Sequence, residues 1–413
     1  MATNSISARS QRIILVFLCC LAFVLRLVVT WRYFATTAVQ DFWTFGFEPS
    51  HIAAALVRGL GFSSPFTDNG GPTSWLPPIY PSLIAIAFKI FGVRSMGALC
   101  CLLGLNVVCS AITAGILYRI GLRCFSPDAA FAGALLWAVS PDAVAMSVRI
   151  WDISIATMLG ALAVLLFLRF VQDEPRLRDW VMYAVVWSIS ALTTTTIAAM
   201  MPLALVVLFF RQRGRFRKQT CVVFVIVILF LLPWTIRNYA RFGHLVPVRG
   251  NFGAELWMGN HPGVSGPADE SMHPLKNDAE LADYLTMGES RYVAARQRQA
   301  SAFIRSDWAG FWRLTWERVV SFWSAPLVMS SAWPAACAVL AWIGMILMLA
   351  RRVMRVAAVP FASAMFFFPL SYYISHAESY YRSPIEPLIS LLAVAALFAG
   401  IEAVSPRKAV QAG

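Results

Sequence analysis

Charge is scarce in this chain. Asp, Glu, Lys and Arg make up 13% of its 413 residues while 59% are hydrophobic, and mean hydropathy is +0.66. A soluble protein of this length needs far more polar side chains to cover its surface, so composition points to a polytopic membrane protein. Acids are the scarcer sign, 21 against 34 Lys and Arg, for a net charge of +13. The basic residues fall in short clusters between apolar runs, which is how membrane spans are oriented, and so the excess does not argue for a nucleic-acid partner. The two long polar loops contain none of the eight cysteines. That excludes a disulfide framework, and the cysteine spacing fits no zinc site. Neither a repeat of fixed period nor a low-complexity segment is present.

What is present is a series of apolar runs near 13–34, 96–118, 128–146, 151–169, 181–210, 219–236, 317–350, 356–373 and 385–403. Each reaches the length a bilayer requires. The first follows Arg9 and Arg12 and lacks a small-residue cleavage site, which makes it a retained anchor, although its "FLCC" weakly resembles a lipoprotein box. Run 181–210 holds "TTTTIAAMMP" at its middle and is expected to be two short spans turning at Thr193–Thr196. Run 317–350 is broken around Ser330 to Pro334, its first part interfacial. With the N-terminus cytoplasmic, 17 basic residues lie in inner segments and 5 in short outer ones. This orientation requires "IYPSLIAIAFKIFG" (79–92) to lie in the outer interface without crossing. Loop 35–94, the turn from Asp142 to Asp152, segment 237–316 and turn 374–386 then share the outer face, where they can form one site. Segment 237–316 has eight acidic residues and a similar number of basic ones, with a helix expected from Ala279 to Ser306. The organisation expected is a membrane module over 1–236 with first outer loop 35–94, an outer-face subdomain 237–316, and C-terminal spans over 317–413.

Within the first outer loop, Pro49 suits the first turn of a helix, Ile52, Ala55 and Leu56 share one face, and Gly59 is a natural stop. Glu48 then sits where the helix dipole favours negative charge, which by itself is as much a cap as a catalyst. The stretch beyond, "GLGFSSPFTDNGGPTSWLPPIYP", is too rich in Pro, Gly and aromatics for a solvated connector and too polar for a span. It is expected to be an ordered wall over a cavity.

An outward acid after the first span, an interfacial helix acid–x3–Ile–Ala–x2–Leu–x2–Gly, then "PPIYP" leading to "FKIFG", resembles the first external loop of GT-C glycosyltransferases. The nearest types are bacterial relatives of protein O-mannosyltransferases and the lipid A aminoarabinose transferase. The likeness runs over about residues 10–210, with looser support from "PWTIRNY", "RGNFGAELWMGNHP" and "YYRSPIEP". It implies an all-α polytopic membrane fold, GT-C-like, with about 10–11 transmembrane helices, two interfacial helices in the first outer loop and a small outer-face segment. The implied activity is transfer of a sugar from a polyprenyl-phosphate carrier to an envelope glycan, lipid or protein acceptor at the outer face of a bacterial-type inner membrane. No cofactor is implied.

Such transfer needs a base for the acceptor, cations for the departing phosphate and a dry entry for the lipid. By resemblance the base is Glu48, with Asp41 as understudy, and Asp152 in "RIWDIS" matches a second outward acid; an interfacial helix-start acid is the plain alternative for Asp152. Arg382 in "YYRSPIEP" is the first candidate for phosphate, followed by Arg249 and Arg237. Glu378, Arg382 and Glu386 also have the spacing of a helix-face ion ladder, and Arg237 also suits the end of a span. Glu255, Trp257, Asn260 and His261 are types that stack on or hydrogen-bond sugars, as is Tyr80, though a packed loop uses the same types. In one respect the chain departs from the aminoarabinose transferases: Trp75 and Leu76 stand where that branch has Glu and Lys before the double proline. One metal ligand of that branch is thereby missing. His261 or His51 alone is more often a hydrogen-bonded loop residue, and no obligatory metal is expected. The rival readings are a transporter or flippase, expected to show inverted repeats and ionisable residues deep in its spans, a polymerase or ligase of lipid-linked glycans, and a non-catalytic scaffold.

Overall fold

The computed structural model describes residues 7–36, 45–173, 175–211, 217–326 and 332–404. The described elements are all helical, apart from one isolated bridge between Ser63 and Pro72. The first half contains α1 (Ala8–Thr36), α2 (Glu48–Val57), α3 (Ile79–Phe91), α4 (Met96–Cys124), α5 (Pro127–Val139), α6 (Pro141–Ala145), α7 (Ile153–Gln172), α8 (Leu177–Thr193), α9 (Thr195–Ala198), α10 (Met201–Arg211) and α11 (Arg217–Phe242). The second contains α12 (Phe252–Gly259), α13 (Asp278–Met287), α14 (Glu289–Ser306), α15 (Trp308–Ser324), α16 (Trp333–Ala350), α17 (Val359–Ala362), α18 (Leu370–Ile374) and α19 (Glu386–Val404).

Six described helices are long and apolar enough to cross a bilayer, seven if α5 and the bent continuation through Val148 count as one span. The protein is therefore a multi-span membrane protein. The other apolar runs form shorter or broken helices. α8 stops at Thr193 because Thr194 is extended (φ −149°, ψ 123°), the break expected within the threonine run. α3 has 13 residues, a rise of about 20 Å, too short for a hydrocarbon core of about 30 Å. Its N-terminal neighbour α2 packs directly on it. α4 is the central post, with α1, α5 and α7 around it, and α19 packs against both α5 and α16. Small residues bring these helices close: a Cβ on Gly121 would lie 2.7 Å from Ala130, and one on Gly344 would lie 2.1 Å from the Leu392 carbonyl. The Arg26 guanidinium, buried within α1, donates to Ser110 Oγ and the Ala138 carbonyl and rests on Trp137, tying α1 to α4 and α5.

Outside the spans, the helix expected from Ala279 to Ser306 is two helices, parted at Gly288, whose φ of 75° is left-handed. α13 and α14 carry a second hydrophobic core of Ile52, Phe66, Trp75, Tyr284 and Tyr292 with residues of the first outer loop. At its centre the buried Glu289 carboxylate accepts from the Thr73 hydroxyl, the Ser74 N–H at 2.6 Å, the Ser74 hydroxyl at 2.8 Å and the Tyr284 hydroxyl at 3.0 Å. The Pro/Gly/aromatic wall thus rests on segment 237–316. α15 presents Trp308, Trp312 and Trp316, 57, 55 and 66% exposed, opposite the buried Phe311, Leu314 and Phe322. Tryptophan in this pattern lies at the headgroup level of a bilayer. In vesicles containing brominated lipid, the protein with all three changed to serine is expected to lose a clear part of its tryptophan quenching. Equal quenching of the two proteins would place α15 away from lipid.

Candidate active site

Glu48 opens α2 with Pro49 in the first turn, which directs its carboxylate inward beside the wall. It is 6% exposed, and its Oε1 accepts from the Trp75 indole N–H at 3.1 Å and pairs with His273 Nε2 at 3.0 Å. Burial alone would raise the Glu48 pKa, but the hydrogen bond and charge of His273, with Arg249 beyond, hold it below the usual carboxylate range. The same partnership carries His273 above the ordinary histidine value against its own burial. His273 Nε2–H therefore donates to the Glu48 carboxylate, while its Nδ1 accepts from the Leu275 N–H at 3.1 Å. The turn carrying His273 is built by the Asp269 carboxylate, which accepts from the Ser265 and Ser271 N–H groups at 2.7 and 2.8 Å. It is joined to the C-terminal turn by the Ala377 N–H donating to the Pro267 carbonyl at 2.7 Å.

Glu48 opens onto a cavity of about 470 Å³. From α12 and the residues before it come Arg249 and Glu255, paired at 2.6 Å, with Arg249 Nε donating to the Trp75 carbonyl at 3.0 Å. The opposite wall carries His376, 3.6 Å through Nδ1 from Glu255 and 2.8 Å through Nε2 from the Tyr381 hydroxyl. Burial holds His376 below the ordinary histidine value, the opposite direction to His273. Lys276 and Glu270 pair at the mouth. The floor is Asp152 at the start of α7 and Thr193 to Thr196. Burial pushes the Asp152 carboxyl up to about 6, opposed by Arg249 and by a hydrogen bond from Thr194. Among the described residues no group of three or more His, Cys, Asp or Glu is placed to hold a metal ion. The eight cysteines are all free thiols.

Residues 76–236 match the family model of dolichyl-phosphate-mannose-protein mannosyltransferases. No curated protein sequence matches the chain. Among solved structures, the oligosaccharyltransferase of Archaeoglobus fulgidus tethered to an acceptor peptide superposes with a TM-score of 0.58 at 13% identity, over 96% of this chain and 50% of that one. The oligosaccharyltransferase AglB of the same organism, in complex with an inhibitory peptide and a dolichol-phosphate, gives 0.56 at 13% identity, over 95% and 50%. The fold is that of the GT-C glycosyltransferases. This chain spans about half the length of those solved relatives. ArnT from Cupriavidus metallidurans bound to undecaprenyl phosphate gives 0.44 at 12% identity, over 95% and 78%, too loose a likeness to bear on the site.

Within this GT-C fold, five of the expected residues line the cavity: Glu48, Asp152, Arg249, Glu255 and Tyr80. Asp41 lies outside the described residues. The remaining candidates are built into the frame. Arg382 donates to the Phe322 and Trp323 carbonyls near the end of α15 and pairs with Glu386, one of the two rungs of the Glu378–Arg382–Glu386 ladder. Arg237 clamps the wall through the Thr73 and Phe62 carbonyls and stacks on Trp234. Asn260 is consumed by the Leu256 and Ile374 carbonyls, His261 is buried beside Asp269, and the Trp257 indole donates to Glu280. None of these five lines the cavity. His273, His376, Lys276 and the threonines were not singled out in the sequence as site residues. Two of the chain's five histidines stand here, and "HPLK" in a polar loop was the available signal. Trp75, which breaks the Glu-Lys pattern of the aminoarabinose branch, is the indole that donates to Glu48.

Proposed function

We propose that this protein is a membrane glycosyltransferase that moves a sugar from a polyprenyl-phosphate carrier to an envelope glycan, lipid or protein acceptor. The observation that carries the reading is the single cavity in which two carboxylates in opposite electrostatic settings, Glu48 and Asp152, meet the Arg249 guanidinium beside apolar helices. A general base works best with a pKa near the working pH, so Asp152 is assigned to accept the acceptor's proton. The freed oxygen attacks the anomeric carbon, the bond from that carbon to the carrier phosphate breaks, and its electron pair leaves on the phosphate. Arg249, with Lys276 at the mouth, steadies that charge. Glu48, kept ionised by His273, offsets positive charge developing on the sugar ring. Arg249 takes the place first given to Arg382, whose guanidinium is spent on backbone carbonyls. The distribution of basic residues supports a cytoplasmic N-terminus and a site on the outer face of a bacterial-type inner membrane.

The reading is tested by comparing envelope glycans and lipids of cells with and without the gene, together with Glu48→Gln in protein that still inserts. The null strain is expected to lose one glycan species, and Glu48→Gln to restore less than about a hundredth of it. Unchanged glycans in the null strain under expressing conditions would remove the function. Full restoration by Glu48→Gln would remove Glu48 from the chemistry. A transporter is disfavoured because the acids gather in one cavity and the buried span charge Arg26 is committed to holding helices together.

A further inference from the structure

The threonine run does more than break a span. Only Thr193 bonds back to its own helix, donating to the Ile189 carbonyl at 2.7 Å. The Thr194 and Thr196 hydroxyls lie 3.3 Å apart, Thr196 accepts from the Tyr372 hydroxyl at 3.1 Å, and Asp152, whose ionised form Thr194 favours, lines the same cavity. This sets Asp152, Thr194, Thr196 and Tyr372 together among the residues lining the cavity, with Trp151. Each of the three hydroxyls both donates and accepts, while the carboxylate only accepts. A phosphate only accepts and calls for cations; an ammonium only donates and calls for acids. A ligand hydroxyl does both and matches the floor group by group, while the apolar face of a sugar ring matches an indole.

We infer that Asp152, Thr194, Thr196 and Tyr372 form the acceptor subsite, and that the acceptor is a sugar presenting adjacent hydroxyls, with Thr194 and Thr196 fixing which hydroxyl reaches Asp152. This rests on the function proposed above and deepens it: the new bond is made to a carbohydrate oxygen, not to a phosphate, an amine or a peptide side chain.

The test uses the full-length protein in the null strain. Linkage analysis by mass spectrometry of the glycan species lost in that strain is expected to show a glycosidic bond to a sugar hydroxyl with a neighbouring free hydroxyl. The double variant Thr194→Val, Thr196→Val is expected to lower product formation about 10- to 100-fold. In isolated membranes using their own lipid-linked donor, it should also move the acid limb of the pH profile upward, because a hydrogen bond favouring the ionised Asp152 is gone. Thr194→Ser, Thr196→Ser, which keeps both hydroxyls, is expected to restore rate and profile alike. A product attached to phosphate, nitrogen or a protein side chain would overturn the inference and leave the glycosyltransferase reading standing. Loss of no glycan in the null strain would overturn both. An unmoved acid limb in the valine variant, or failure of the serine variant to restore it, would reduce the run to a structural role.

Discussion

Asp152→Asn is expected to cut turnover by about 10²- to 10⁴-fold while leaving membrane insertion and thermal stability intact. The two halves of that result have one cause. Burial raises the Asp152 carboxyl from an ordinary 3.8 to about 6, so the fold holds this group's ionised form at a cost. An acid whose folded pKa is raised withdraws stability as pH climbs from its unfolded value through its folded one, and at neutral pH the neutral amide is therefore no worse. In the wild type, the rate should fall as pH drops through about 6, because only the carboxylate can take the proton. For stability, the Glu48–His273 pair adds two further pH-dependent contributions of opposite sign. The contribution of His273, whose folded pKa is raised, is full below its unfolded value and fades as pH rises through its folded one. The contribution of Glu48, whose pKa is lowered, fades only as pH falls through its folded value. Glu48→Gln should leave the acid limb of the rate profile in place, since that limb belongs to Asp152. Full turnover by an inserted Asp152→Asn protein, or a wild-type rate flat between pH 5 and 7, would remove Asp152 as the base.

Among the described glycines, Gly259 is expected to tolerate alanine least. Gly259 ends α12, the helix that carries Glu255 into the cavity, and a Cβ there would lie 1.6 Å from the Ser375 carbonyl and 3.0 Å from the Arg318 guanidinium. Ser375 adjoins His376, so the clash pushes apart the two walls that hold Glu255 and His376. Arg318 cannot simply withdraw, since it donates to the Gly259 and Ile374 carbonyls and to Asn260. Forcing a methyl against backbone in a closed packing costs about 3 kcal/mol or more, and activity should fall with stability. Gly104→Ala is the matching control. Nothing lies within 4 Å of its Cβ position in the middle of α4, and helix propensity gives alanine about 0.5–1 kcal/mol over glycine. A melting temperature for Gly259→Ala equal to that of Gly104→Ala would show that α12 and the Ser375 turn do not touch as described.

Much of the site's frame was legible because local rules wrote it. Pro49 and Gly59 bound the helix that Glu48 starts, the threonine run breaks the span where expected, and the aromatic wall is ordered. Side chains whose roles depend on distant partners were not legible. Glu378, Arg382 and Glu386 were spaced for either phosphate binding or an ion ladder, and only the proximity of the α15 carbonyls and of Glu386 shows where the Arg382 guanidinium goes. His273 stands 225 residues from Glu48, and no sequence period couples them.

By itself the sequence determined that the chain lives in a bilayer, because apolar runs of span length have no other stable solvent. It also determined where those runs stop, because Pro, Gly and charge act on their immediate neighbours. The tertiary structure alone decided which charges are spent on backbone carbonyls and which open into the cavity. Burial, and the partner met on another helix, set that balance by fixing the free energy of each ionised group.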